Sequence, residues 1–184
     1  VHMDAFEQIV GMLLERNGYW IRTSYKVCLT KQEKVHIGIP SSPRWELDVV
    51  AYCPKDNLIL AVECKSFLNS PGVRHSIFSG QSDKKGKYKL FTNGNLRKTV
   101  LARLKKQLRS EGLVSPHPKV RLCLAAGHIC RGDREKVKRH CRKNRWWLFD
   151  EEWFSQQFAK LAKADYENDI AIVAAKLAKK AFAD

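Results

Sequence analysis

Residues 45–65 read WELDVVAYCPKDNLILAVECK. Two strand-like runs, Trp45 to Tyr52 and Leu58 to Lys65, flank Pro54-Lys55-Asp56-Asn57, which are turn-forming residue types, so the stretch predicts a β-hairpin. Side chains alternate faces along a strand, which groups Glu46 with Asp48 and Glu63 with Lys65. Centring the turn between Pro54 and Asn57 sets Asp48 opposite Glu63 and Glu46 opposite Lys65. Directly opposed side chains point the same way, roughly 5 Å apart. Three carboxylates and one ammonium are thereby expected on one patch. A one-residue slip of register would scatter them.

Such a patch suits one kind of chemistry. Asp48 and Glu63 side by side repel unless a proton or a cation lies between them. Their oxygens match a hard divalent ion such as Mg²⁺, with Mn²⁺ also tolerated. An ion there would polarise a phosphate and acidify a bound water, and Lys65 would orient that water and stabilise developing negative charge. Glu46 would neutralise Lys65, join the outer shell of the ion, or do both. The lead-in Leu58-Ile59-Leu60-Ala61-Val62 is continuously apolar, as in a strand covered on both faces. Charges at the end of such a strand are expensive unless paired or metal-bound.

Working outward, the chain of 184 residues fits one domain, taken as residues 4–184, with ordinary globular proportions of 44% hydrophobic and 29% charged. Val1 and His2 read as a cloning remnant before Met3. The opening segment has no basic start with an apolar block, and no run reaches the roughly 20 apolar residues of a membrane span. The expectation is a cytoplasmic or nucleoid-associated protein without a membrane partner. The six cysteines, at 28, 53, 64, 123, 130 and 141, read as reduced thiols. Cys123, His128, Cys130, His140 and Cys141 lack the paired spacing of a structural zinc site. Thirty-four Lys and Arg against 19 Asp and Glu leave a net charge of +15, which favours a polyanionic partner, DNA first.

The remaining elements follow from periodicity and caps. A first helix is expected from Asp4 to Asn17, with Phe6, Ile9, Val10, Leu13 and Leu14 as its apolar stripe and Glu7 beside it. Tyr19 to Leu29 predicts a strand, Val35 to Ile39 a shorter extended piece, and Pro40 to Pro43 a break. Residues 67–94 show no period and are expected to form a long functional loop. Helices are predicted at Asn95 to Glu111, Arg134 to Asn144, Glu151 to Lys163 and Tyr166 to Phe182, with strands at Val120 to Ala126 and Trp146 to Phe149. The order is αβββαβ followed by αβαα, a single α/β domain.

At Glu7, Asp48, Glu63 and Lys65 the chain resembles the PD-(D/E)XK nuclease superfamily, which has an acid on its first helix, an Asp on one strand and (D/E)-x-K on the next. Phe6-Glu7, Gly18-Tyr19, Glu46-Leu47-Asp48-Val49-Val50 and Val62-Glu63-Cys64-Lys65-Ser66 resemble the forms these motifs take there. The likeness covers about residues 4–126, leaving the basic helix, short strand and last helices, about 131–184, outside the core. The proline usual before the aspartate is replaced by Leu47, and Gln107 is a loose counterpart of a glutamine found in some subfamilies. The resemblance implies a restriction endonuclease-like core with a mixed central sheet flanked by helices. It implies Asp48, Glu63 and the Cys64 carbonyl as metal ligands, Glu7 acting directly or through water, and Lys65 positioning the nucleophile.

For DNA contacts, Arg74, Lys84, Lys85 and Lys87 follow the catalytic strand, and Arg134, Lys138 and Arg142 belong to the dense basic cluster before Trp146-Trp147. One or both tryptophans are expected in the core. The resulting expectation is a Mg²⁺-dependent DNA endonuclease of restriction or host-defence type, with a homodimer supplying two sites for a double-strand cut. A junction-resolving or repair nuclease, a non-catalytic DNA-binding subunit and an RNA-binding protein are the competing readings.

Overall fold

The computed structural model describes residues 4–38, 44–82 and 85–181, with Lys85 by its backbone alone. In chain order the elements are α1 (Ala5–Arg16), β1 (Trp20–Val27), α2 (Lys31–His36), β2 (Trp45–Cys53), β3 (Leu58–Lys65), α3 (His75–Phe78), α4 (Lys89–Thr92), α5 (Gly94–Ser110), β4 (Lys119–Ala126), α6 (Arg134–Lys143), β5 (Trp147–Phe149), α7 (Glu151–Lys163) and α8 (Ile170–Ala181). Short 3-10 turns occupy Lys85–Tyr88 and Arg131–Asp133.

The predicted hairpin is present in the expected register, with Val49 opposite Val62 and Cys53 opposite Leu58. It lies within a five-stranded sheet whose spatial order follows the chain, β1 through β5. The β1–β2 and β2–β3 joins are antiparallel, and β3–β4 and β4–β5 are parallel. The fold is therefore mixed α/β, a mixed sheet flanked by helices. Leu58 through Val62 are all buried, as the unbroken apolar run demands. On one face α1, α7 and α8 pack Val10, Leu13, Phe154 and Ile172 against Leu60 and Val62. On the other, α5 and α6 pack Val100, Leu104 and Val137 against Ile59, Ala61 and Leu124. Each such side chain contributes about 1.5–3 kcal/mol.

Several expectations need correction. The piece expected over Val35 to Ile39 is not extended as far as Gly38, Ile39 lying outside the described residues: α2 occupies Lys31–His36, started by a capping box in which Thr30 Oγ1 accepts from Glu33 N–H and the Glu33 carboxylate accepts from Thr30 N–H. Arg103 of α5 then grips Glu33 in a two-pronged ion pair at 2.8 Å, an anchor that gives a six-residue helix its tertiary support. The break predicted at Pro40 to Pro43 falls outside the described residues. The supposed loop 67–94 contains α3, a 3-10 turn and α4, and buries Phe78, Tyr88, Leu90 and Phe91. Four-residue helices are too short to show a 3.6-residue period, which is why composition alone suggested a loop. The final helix begins at Ile170 rather than Tyr166, because the Asp169 carboxylate accepts from the Ala171 and Ile172 amides and caps it there. Trp146 precedes β5 and is buried against Phe91, whereas Trp147 is 36% exposed. Among the described residues no helix is long and apolar enough to cross a membrane.

Candidate active site

The acids meet at the carboxyl end of β3, beside the first turn of α1. A local irregularity in β1 and β2 puts Asp48 there. The β1–β2 pairing keeps one register from Trp20–Tyr52 to Val27–Trp45, but the Ser24–Asp48 pair is missing, and Ser24 has a left-handed φ of 48°. Above this point Val49, Ala51 and Ile21 pack on the α1 face. Below it Leu47, Tyr25 and Val27 pack on the α5 face, although regular alternation would return residue 47 to the face of Val49. Both strands thus change faces at Asp48. The β2–β3 ladder stops at Val49–Val62, and the Asp48 carboxylate replaces the next backbone partner, its Oδ2 accepting from Cys64 N–H at 2.6 Å. Lys65 Nζ stands 3.9 Å from the same oxygen, and both side chains are 24% exposed, covered yet reachable.

Electrostatics ties the other acids to this pair. Burial pushes the Glu63 carboxyl up to about 7, the neighbouring Asp48 charge adds to this, and Lys65 opposes it. Glu7, in the first turn of α1, is also pushed up to about 7, by burial and then by Asp48, again with Lys65 opposing. Asp48 is raised by burial, against the Cys64 amide and Lys65. Glu7, Asp48 and Glu63 therefore share one field with the Lys65 ammonium. Fully ionised, three carboxylates and one lysine leave two negative charges in a chain whose net charge is +15. A cleft of about 130 Å³, lined by Asp4, Phe6, Glu7, Cys64, Lys65, Ser66 and Phe67, opens beside these acids. A larger cleft, about 720 Å³ between α7 and α8, is lined by five alanines, Phe158 and two lysines, with no acid or nucleophile.

Glu46 departs from its expected place. It is exposed and stands opposite Lys26 of β1, not paired with Lys65, because the face change at Asp48 breaks the alternation on which that pairing relied. Its charge still reaches Asp48 and Glu7. Gln107 is not at the cleft: it accepts from Cys28 N–H and donates to Lys26 O, stitching α5 to the end of β1.

The donor set is two or three carboxylates with the Cys64 carbonyl, all hard oxygens. Among the described residues no three His, Cys, Asp or Glu side chains form a cage by themselves. Mg²⁺ commonly takes only one or two carboxylates and keeps several waters, so this set fits it. The zinc candidates do not group either: His128 bonds Glu151, and His140 packs among Phe78, His75 and Trp146.

Of the basic candidates, Arg74 is exposed at the start of α3, and Lys87 lies over the Phe67 ring, 5.8 Å from its centroid, at the edge of the cleft. Lys84 falls outside the described residues, and so does the Lys85 side chain. Arg134 pairs with Glu151, and Lys138 with Asp150 and Glu152, so these two cations fasten α6 to the start of α7. Arg142 is exposed and 4.0 Å from Glu135.

Gly127, just beyond β4, packs against Ser66 and Phe6 of the cleft lining. Its N–H donates to Lys65 O at 2.9 Å, and a Cβ there would run into the Ser66 carbonyl and lie 3.1 Å from Phe6 Cε2. Gly127→Ala is expected to destabilise by about 2 kcal/mol, because backbone rather than a flexible side-chain tip must yield. Thermal unfolding checks this, with a Tm lowered by roughly 5 °C.

No protein-family model matches the sequence, and no curated protein matches it. Among solved structures the chain is similar to an XisH family protein from Nostoc punctiforme, at 17% identity and a TM-score of 0.40, covering 84% of this chain and 94% of that one. That likeness carries no argument about chemistry, which rests on the residues themselves.

Proposed function

We propose that this protein is a metal-dependent DNA endonuclease with a PD-(D/E)XK-type centre. The observation that carries the reading is the convergence of Glu7, Asp48 and Glu63 on Lys65 at one strand end. A structural strand end gains nothing from crowding like charges, whereas a site for a divalent cation requires them.

Asp48 and Glu63, with the Cys64 carbonyl, would hold Mg²⁺, and Glu7 would complete the set directly or through water. When bound, the ion supplies a Lewis acid at the phosphate and lowers the pKa of a coordinated water. The chain does the rest. The Cys64 amide fixes one oxygen of Asp48 and so sets the direction of the carboxylate. Lys65, partly covered and next to Asp48, orients the nucleophilic water and stabilises charge on the phosphate oxygens. The strongly basic chain supplies attraction for the polyanion, with Lys87 over Phe67 at the edge of the cleft. One such centre cuts one strand, so a double-strand cut calls for two copies.

The test is incubation with supercoiled plasmid, linear duplex and a four-way junction, in Mg²⁺ or Mn²⁺. Nicking or linearisation that needs the metal is expected, and a marked preference for the junction would assign a resolving role. Salt-sensitive binding without any cleavage would leave the non-catalytic subunit as the correct reading.

A further inference from the structure

Strands β3 and β4 are parallel and end together, Lys65 being the register partner of Ala126. Beyond them the two chain segments join again. Val73 pairs with Ile129, Val73 N–H donates to His128 O at 3.0 Å, and Cys130 N–H donates to Val73 O at 3.1 Å. His128 is thus the first side chain after Gly127, which packs against Ser66 and Phe6, two residues that line the cleft. Its ring is fixed from two sides. Nδ1 lies 3.1 Å from Glu151 Oε1, and the ring edge lies over Gly72, where a Cβ would come within 2.8 Å of His128 Cδ2. Gly72 has a φ of 85°, so both its conformation and the space above it require glycine. Glu151 is itself held by Ile129 N–H at 2.9 Å and by Arg134 at 3.1 Å.

A carboxylate on one imidazole nitrogen orients the ring, and an imidazolium between two anions donates a hydrogen bond from each nitrogen. Here the His128 side chain remains 40% exposed, and Nε2 has no partner among the described residues. Arg74 and Arg131, on the same two joined segments, are exposed and have no acid partner among the described residues. Structural need does not explain the arrangement, because Glu151 would keep two donors without the histidine.

We infer that His128 is a substrate-positioning residue whose Nε2 binds a phosphate of the DNA backbone flanking the cut, with Arg74 and Arg131 extending the contact. This rests on the nuclease reading in assuming DNA at the cleft. The Glu151–His128 pair holds the duplex against the strand ends, while Lys65 and the acids act on the scissile phosphate.

The experiment measures duplex-DNA binding by fluorescence anisotropy in EDTA, cleavage in Mg²⁺ and thermal unfolding, for wild type, His128→Ala, His128→Arg and Lys65→Ala. His128→Ala is expected to raise Kd about tenfold, the usual worth of one charge-assisted hydrogen bond. Cleavage at saturating DNA should stay within about threefold of wild type, as for a contact made equally in ground and transition states. Tm should stay within roughly 3 °C, and His128→Arg should restore most of the affinity. An unchanged Kd in His128→Ala overturns the inference, as does a loss that follows a fall in Tm and is not recovered by arginine. If Lys65→Ala cleaves normally, the nuclease reading fails while the anisotropy data still judge His128. If the wild type binds no duplex, both fall.

Discussion

Lys65→Ala is expected to reduce Mg²⁺-dependent DNA cleavage by about a thousandfold, with duplex affinity within about twofold of wild type. The reason is positional. Lys65 is the cation whose charge opposes the upward shifts of Glu7, Asp48 and Glu63 alike. Its Nζ lies 3.9 Å from Asp48, close enough to act on a water held beside that carboxylate. A partly exposed pair of this length adds little to stability, so the variant should fold, with Tm near that of wild type. Lys65→Arg is expected to fail as well, because a planar guanidinium does not reproduce a compact ammonium. Initial rates on plasmid and anisotropy on duplex separate the two effects. A variant that loses binding and cleavage together would place Lys65 in DNA attachment instead.

The second large effect is on stability. Glu63 has a folded-state pKa of about 7 against 4.5 for a free glutamate, because its charged form is buried beside Asp48. Below 4.5 both states carry the proton, and the group contributes no difference. Between 4.5 and about 7 the unfolded chain releases the proton while the folded one keeps it, so stability falls as pH rises through this window. Above it the loss is complete, on the order of 3 kcal/mol. Glu7 acts in the same direction and window. Glu33, Glu151 and Asp169, whose pKa values are lowered, act oppositely and only at more acid pH. Thermal unfolding should therefore show a Tm lower at pH 8 than at pH 5.5. Saturating Mg²⁺ should restore about 2–3 kcal/mol at pH 8, and EDTA should remove the gain. At pH 5.5, where Glu63 and Glu7 hold protons, the ion should do much less. Glu63→Gln is expected to be more stable than wild type at pH 8, indifferent to Mg²⁺, and inactive. An equal response to Mg²⁺ in that variant would place the ion elsewhere.

Much of the hairpin was legible, because a four-residue turn between two apolar runs leaves one register that keeps both faces of β3 buried. Asp48, Glu63 and Lys65 meet at the end of that hairpin, and Glu7 reaches them because the α1 stripe of Val10, Leu13 and Leu14 fixes the helix over β3. The face change at Ser24 and Asp48 was not legible. Neither residue type announces a left-handed φ in the middle of a strand, and regular alternation predicts for Glu46 a pairing it does not make. The α2 helix was readable from Thr30 and Glu33, whose spacing is that of a capping box, but Val35 to Ile39 looked extended in isolation. The attachment of Arg134 and Lys138 to Glu151, Asp150 and Glu152 depends on how α6 and α7 pack, which charge counting does not reveal. His128 and Glu151 are likewise far apart in the chain and meet only through the ends of β4 and α7.

The central claim is that the end of β3 traps a divalent cation, and calorimetric titration of Mn²⁺ at pH 8 into wild type and Asp48→Asn tests it most directly. Saturable uptake by the wild type, at about one or two ions per chain, and its loss in Asp48→Asn is the predicted result. Identical heats from the two proteins, or no uptake by the wild type, would contradict it.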